Sequence, residues 1–152
     1  MITKFLLFEE KNEFQTATFD NLPLDYQIGL MTYMYEGKPV EWSINDSVDW
    51  VNDIGKIKIL IADYSKVYGN KKFKFGLYKT QKLINKVIDC LGIDDWKEYH
   101  DSYMSTNKVN YTDTIYPVIV NNENDEFIED GWHRFHYYIH RGYDSIPVIF
   151  LN

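Results

Sequence analysis

The residues best suited to chemistry are concentrated in one short stretch near the end of the printed sequence. Both arginines and three of the four histidines lie between residues 133 and 141, whereas the chain otherwise uses lysine as its cation. Arginine offers a planar fork that binds phosphate or carboxylate through two hydrogen bonds, which lysine cannot imitate. We therefore expect an anion-binding site in this stretch.

The residues around this stretch predict a strand-to-helix turn. Gly131 permits close backbone approach, and a helix is predicted over 132–141, ended by Gly142. The first amides of a helix have no partner within it and carry a partial positive charge, so they bind phosphate readily. His133 and Arg134 add one titratable donor and one bidentate donor beside the same amides.

The elements that must position this turn are a mixture of strands and helices. Strands are predicted at 117–120, 127–129 and 146–151, with the polar segment 121–126 as a tight connection between the first two. The clearest helix is predicted over 79–91, with Thr80 as its N-cap and Gly92 as its left-handed end. Further strands are predicted at 56–63 and 71–75, and a polar helix at 94–106. The pattern predicts an α/β (α+β) fold with a small mixed sheet and packed helices.

The first 55 residues are predicted to form an N-terminal extension to a core of residues 56–152. Strands are predicted at 2–8 and 14–19, a strand or buried helix at 28–35, and a short helix at 44–54. Ten acids against three lysines give the extension a charge of −7, and nine lysines against two aspartates give residues 56–90 a charge of +7. The extension either packs on the lysine-rich segment and selects a partner, or it completes the core sheet.

The C-terminal part of the chain resembles the ParB/sulfiredoxin superfamily. The resemblance rests on YPVIV, a polar hairpin, FIEDGWHRF, a helix that ends at glycine, and the final IPVIFL. Members share a strand that begins with proline, a Gly-x-His-Arg or Gly-x-Arg-Arg turn, and a closing Ile-Pro-Val strand. Upstream, KIKILIAD at 56–63 resembles the first strand of that fold, and the helix at 79–91 resembles the helix that follows it. Residues 1–55 resemble no part of it.

The resemblance implies nucleotide binding. In sulfiredoxins and the related free-serine kinases this turn holds ATP or ADP phosphates, and in ParB partition proteins a similar turn belongs to a CTP site. Carried over by position, Gly131 would allow close backbone approach and Asp130 would brace the turn as a helix cap. His133 and Arg134 would contact the phosphates. Trp132 lies in the same turn, where sulfiredoxin has its catalytic cysteine.

The implied activity is phosphoryl transfer or nucleotide hydrolysis with ATP, or another nucleotide, and Mg²⁺. Such chemistry needs the metal to neutralise the triphosphate, the turn to position it, and a carboxylate to orient the nucleophile. Asp63, at the end of the predicted strand 56–63, is the nearest upstream carboxylate, and Glu41 is a more distant one. We expect Asp63, His133 and Arg134 to form the catalytic group.

Two other classes of function stay open at this point. The chain is acidic and rich in aromatic residues, and its amino-acid usage suggests an AT-rich coding sequence. These features also fit a phage protein that inhibits a host protein without catalysis. A ParB-like nuclease is the third class, but a net charge of −7 argues against nucleic acid as a partner. Arg134 has a purely structural alternative as well, since it could pair with Asp130 or Glu129.

The remaining chemistry-bearing residues point to ordinary structural roles. His136 and His140 have the i, i+4 spacing of a metal pair, but no third ligand is evident, so surface exposure or aromatic packing explains them better. Cys90 is expected on the apolar face of the helix at 79–91 as an inert small residue, which argues against sulfinic-acid repair. No apolar run is long enough to span a membrane and the opening residues lack a signal-peptide pattern, so we expect a cytoplasmic protein.

Overall fold

The fold combines a five-stranded sheet with helices on both of its faces. The computed structural model describes residues 13–34, 54–107, 109 and 116–152. The strands are β1 (Glu13–Thr18), β2 (Lys72–Lys79), β3 (Val118–Val120), β4 (Ile128–Asp130) and β5 (Ser145–Phe150). The helices are α1 (Leu24–Met34), α2 (Ile54–Tyr68), α3 (Thr80–Leu91), α4 (Trp96–Asn107) and α5 (Trp132–His140), and a 3₁₀ turn spans Phe19–Asn21. This mixed α+β architecture confirms the predicted fold class.

The strands lie in the order β1-β2-β5-β3-β4. The β3–β5 pair is parallel, and the other neighbouring pairs are antiparallel. Between β3 and β5 the chain first forms the antiparallel strand β4 and then helix α5, which crosses back to the sheet. The start of α5 therefore lies directly after the edge strand β4, and this connection carries the predicted anion site.

Side chains alternate between two hydrophobic clusters on opposite faces of the sheet, as successive residues of a strand must. In β3, Ile119 belongs to the first cluster, whereas Val118 and Val120 belong to the second. Helices α1 and α2 cover the first cluster, and α3 and α5 cover the second. The sheet is thus the middle layer of three. No helix in the described ranges is long and apolar enough to cross a membrane.

The prediction of a strand at 56–63 is wrong, because these residues lie in helix α2. The physical reason is a helical repeat that extends beyond Asp63. Ile57 and Tyr64 are buried, and Ile61 and Tyr68 pack against the same cluster, so the apolar positions follow i, i+4, i+7 and i+11. The strand that precedes the helix at 80–91 is instead β2, which includes the predicted strand at 71–75.

Residues 13–34 are built into the sheet and its core. Strand β1, predicted at 14–19, pairs with β2 over six residues, and the ambiguous segment 28–35 forms most of helix α1. Five buried side chains from this part join the first cluster: Phe19, Leu22, Ile28, Leu30 and Met31. The boundary predicted between residues 55 and 56 falls inside α2. The strand predicted at 2–8 and nearly all of the helix predicted at 44–54 lie outside the described residues.

The other predicted elements agree with the structure within a few residues. The predicted helices at 79–91 and 94–106 are α3 and α4, and the left-handed Gly92 follows α3 as expected. Thr80 is the first residue of α3 rather than its cap, and its hydroxyl donates a hydrogen bond to the carbonyl of Tyr143 at 2.6 Å. The prediction that Cys90 lies on the apolar face of this helix is wrong, because Cys90 is exposed in the last turn of α3.

Candidate functional site

The candidate site is the turn formed by residues 130–134, which we call the anion turn. Gly131 is the N-cap of α5 in a left-handed conformation, with φ 94° and ψ 27°. The first i→i−4 hydrogen bond of α5 runs from the amide of Phe135 to the carbonyl of Gly131 at 2.8 Å. The amides of residues 132–134 therefore lie in the first turn of the helix, ahead of its first i→i−4 hydrogen bond.

Arg134 folds back over the start of its own helix. A Cβ atom placed on Gly131 would lie 2.9 Å from Nη2 of Arg134 and 3.0 Å from its Nε. Only a glycine leaves room for the guanidinium at this place. The positive charge of Arg134 thereby adds to the partial positive charge of the helix start.

The guanidinium of Arg134 is only partly paired. Its Nη2 donates to Oδ2 of Asp130 at 3.3 Å, which is the structural pairing that the sequence leaves open. The side chain of Arg134 is 13% exposed and that of Asp130 is 45% exposed. Nε of Arg134 is buried and has no hydrogen-bond partner. An unsatisfied buried donor is unfavourable by about 1–3 kcal/mol, so an anion that reached Nε would be stabilised.

Glu129 is a second carboxylate beside the turn. The hydroxyl of Tyr33 donates to its Oε1 at 2.9 Å, and the side-chain amide of Asn124 donates to its Oε2. Burial, followed by the hydrogen bond to Glu129, raises the pKa of Tyr33 to about 12, so the hydroxyl keeps its proton at neutral pH. Sequence reasoning missed this contact, because 96 positions separate the two residues and Tyr33 belongs to no motif.

Asp63 lies away from any described contact with the anion turn. It is on helix α2 with a 61% exposed side chain, and Lys66 is 3.9 Å away on the same helix. The assignment of Asp63 to catalysis stays a prediction that no contact in the described ranges supports. Glu129 and Asp130 are the carboxylates that adjoin the turn, and Glu41 lies outside the described residues.

His133 connects the anion turn to helix α4. The ring of Tyr103 meets the ring of His133 edge to face, with centroids 5.5 Å apart. Burial lowers the pKa of His133 below its usual value, so the imidazole is neutral at pH 7. A neutral imidazole offers an anion one N–H donor rather than a full charge. The fixed positive charge of the turn is therefore that of Arg134.

Helices α4 and α5 meet through a cluster of aromatic and imidazole rings, which we call the ring cluster. At its centre lies His136, which is fully buried. Tyr103 stacks on His136 at a centroid distance of 3.9 Å, and Trp96 stacks at 5.7 Å. Nδ1 of His100 lies 2.8 Å from Nδ1 of His136. Tyr99 and Trp132 complete the cluster.

Sequence reasoning predicted helix α4 without a packed face, although a signal was present. Positions 96, 99, 100 and 103 carry rings at i, i+3, i+4 and i+7, the spacing of one helix face. The ring nitrogen of His136 meets that of His100 on α4, whereas His140, four residues further along α5, is exposed.

The described residues contain no group of three or more histidine, cysteine or acidic side chains that could hold a metal ion. A nucleotide-bound Mg²⁺ needs fewer protein ligands, because phosphate oxygens and water supply most of its coordination. One or two carboxylates are sufficient. Asp130, with a 45% exposed side chain, adjoins the turn, whereas both carboxylate oxygens of Glu129 accept hydrogen bonds from Tyr33 and Asn124.

No protein-family model, no curated protein and no solved structure matches this chain. The resemblance to the ParB/sulfiredoxin superfamily consequently stays a prediction. The geometry of the anion turn is therefore the observation that bears on function.

Proposed function

We propose that the protein binds a nucleotide by its phosphates at the anion turn and, with Mg²⁺, catalyses phosphoryl transfer or nucleotide hydrolysis. The observation that carries the proposal is the position of Arg134. Its guanidinium lies over Gly131 with Nε buried and unpartnered, beside the first-turn amides of α5. Two kinds of anion donor thus converge on one place.

A bound phosphate would change the pairing of Arg134. The contact with Asp130 is a single 3.3 Å interaction with a carboxylate that is nearly half exposed. A phosphate at the helix start can accept two hydrogen bonds from the guanidinium and further bonds from the amides of residues 132–134. The Asp130 carboxylate would then be released to face the metal, which is the role that phosphoryl transfer requires of an acidic residue.

Arg134→Ala should weaken nucleotide binding by about 1.5–3 kcal/mol, the range for a charge-assisted hydrogen bond. Isothermal titration calorimetry with ATP, ADP and CTP, each with and without Mg²⁺, measures this loss. Arg141→Ala is the matched control, because Arg141 follows the same helix at its other end and contacts the hydroxyl of Tyr137. We expect this control to bind nucleotide like the unaltered protein.

Two results would contradict the proposal. One is the absence of nucleotide binding by the unaltered protein at millimolar concentration, and the other is an equal loss of affinity for both arginine variants. Where nucleotide turnover is detected, Asp130→Asn and Asp63→Asn distinguish the two carboxylates. The geometry favours the larger loss for Asp130→Asn, because Asp63 has no described contact with the turn.

A further inference from the structure

A pair of histidines joins helix α4 to helix α5. Nδ1 of His100 and Nδ1 of His136 are 2.8 Å apart, and their rings are nearly parallel with centroids separated by 5.1 Å. We propose that this pair is a pH-sensitive latch, which holds α4 against α5 when it is neutral and releases α4 on acidification. The proposal is independent of the nucleotide site.

The attachment of α4 depends on the ring cluster. No side chain of α4 is fully buried in the structure, in contrast to α3 and α5, which each bury three. The ring contacts of α4 instead run from Trp96, Tyr99, His100 and Tyr103 to His136, and Trp96 also packs against the second cluster. Loss of the contact between His100 and His136 would therefore release α4 as a unit, while the sheet and its two hydrophobic clusters persist.

The hydrogen bond between His100 and His136 limits how many protons these two residues can bind while α4 packs on α5, an arrangement that we call the closed state. A bond between two Nδ1 atoms needs one N–H donor and one lone-pair acceptor, so the two rings hold opposite protonation at these atoms. With both imidazoles protonated, two N–H groups would face each other at 2.8 Å and no bond could form. The closed state thus excludes at least one of the two protons that the released histidines can bind.

The surroundings of His136 disfavour its charged form as well. The residue is fully buried and its Nε2 has no hydrogen-bond partner. Burial, and then the neighbouring His100 and His133, lower the pKa of His136 to about 3. A proton added to this ring would therefore place a positive charge in a buried site where the N–H at Nε2 has no hydrogen-bond acceptor.

Protonation of His100 is disfavoured less strongly than protonation of His136. Burial lowers the pKa of His100, Asp101 opposes this shift, and His140 adds to it. Glu126, in the loop between β3 and β4, acts on the neighbouring Tyr99 of the ring cluster. Asp101 is the carboxylate whose charge favours protonation of His100, whereas His133 and His140 of α5 act in the opposite direction on the pair.

The direction of the pH effect follows from a comparison of the closed state with the open state, in which α4 is released from α5. A released histidine titrates near pH 6.5, whereas both histidines of the closed pair resist protonation. Above pH 7 both states are neutral, so the closed state keeps its full stability. As the pH falls below 6.5 the open state gains protons that the closed state excludes, and opening becomes easier. Between pH 7.5 and 5.5 the opening constant should rise about tenfold for the one proton that the closed pair excludes, and further to the extent that His100 also stays neutral.

Amide hydrogen exchange measures this opening directly in the full chain. Between pH 7.5 and 5.5 we expect the protection factors of α4 amides to fall by about tenfold to a hundredfold relative to those of α3. Helix α3 is the internal reference, since its buried residues lie in the second cluster and include no titratable group. The double variant His100→Gln/His136→Phe should lose this pH dependence, because neither substitute titrates.

His140→Gln is the control, because His140 is exposed on the same helix and should leave most of the pH dependence in place. The single variant His100→Gln provides a second measurement if a change at the buried His136 prevents folding, and it should reduce the effect to tenfold or less. Equal pH responses of α3 and α4 in the unaltered protein would overturn the latch. So would full pH dependence in a variant that lacks both histidines of the pair.

Discussion

At the scale of single residues, the anion turn depends on the missing side chain of Gly131. The left-handed backbone at φ 94° and the guanidinium of Arg134 at 2.9 Å both exclude a Cβ atom. Gly131→Ala should therefore destabilise the protein by about 1–2 kcal/mol through its backbone alone. It should also weaken nucleotide binding, because the methyl group displaces the guanidinium. Urea denaturation and calorimetry measure the two effects separately.

Gly142→Ala separates backbone strain from displacement of Arg134. Gly142 also has a positive φ, 79°, but no atom lies within 4 Å of a Cβ placed there. We expect this variant to lose stability to a similar degree and to bind nucleotide normally. A Gly131→Ala variant that kept full nucleotide affinity would show that the position of Arg134 over the turn is unimportant for binding.

At the scale of secondary-structure elements, local sequence signals predicted the C-terminal part well. Strands β3 and β5 are short β-branched runs beside turn residues, and α5 begins after Asp130-Gly131 and ends before Gly142. Each signal lies within a few residues of the element that it specifies. The boundaries therefore needed no knowledge of tertiary contacts.

The strand predicted at 56–63 shows where local patterns are ambiguous. KIKILIAD alternates as a strand does, yet its apolar residues also satisfy a helical repeat when the window extends to Tyr68. Tertiary packing decides between the two, since one face of the segment joins the hydrophobic cluster that also contains Phe73 and Phe75 of β2. Local patterns also could not predict the ring cluster. The helix that faces α4 is determined by how elements distant in sequence are arranged.

The connection of α5 to the start of β3 rests on one buried tyrosine. The hydroxyl of Tyr138 accepts a hydrogen bond from the amide of Tyr116 at 2.9 Å and donates one to its carbonyl at 2.6 Å. Tyr138→Phe removes both bonds while it keeps the ring, so we expect a loss of about 1–3 kcal/mol in the free energy of unfolding. Chemical denaturation measures the loss.

The adjacent Tyr137 provides the matched control for this substitution. Its hydroxyl accepts a hydrogen bond from Arg141 at an exposed position, at 3.2 Å. Tyr137→Phe should change the stability by less than about 0.5 kcal/mol, as exposed substitutions usually do. Equal effects of the two substitutions would mean that the contact between Tyr138 and Tyr116 contributes little to stability.

At the scale of the whole molecule, the alternation of charge along the sequence is not matched by ion pairs across the described structure. Between described residues the ion pairs are Lys66 with Asp63 and Arg134 with Asp130, each within four positions of the chain. Residues 13–34 are thus not held to the lysine-rich segment by ion pairs between described residues. Strand pairing, apolar contacts and hydrogen bonds such as that of Tyr33 with Glu129 join residues 13–34 to the rest.

This attachment predicts that a chain of residues 56–152 does not fold by itself. It would lack β1, which pairs with β2, and α1, which covers part of the first cluster. Burial of one large apolar side chain contributes about 1.5–3 kcal/mol, and five such side chains come from residues 13–34. Their loss is comparable to the whole stability of a typical domain, about 5–15 kcal/mol.

Circular dichroism and thermal unfolding of the 56–152 chain test this expectation, with the full chain as reference. We expect little ordered structure and no cooperative transition, and partial recovery of both when a separate 1–55 peptide is added. Recovery would show that the missing layer, not the cut itself, causes the loss. A 56–152 chain that melts cooperatively and binds nucleotide would instead show that residues 1–55 are an accessory segment, which is the first of the two roles that the sequence leaves open.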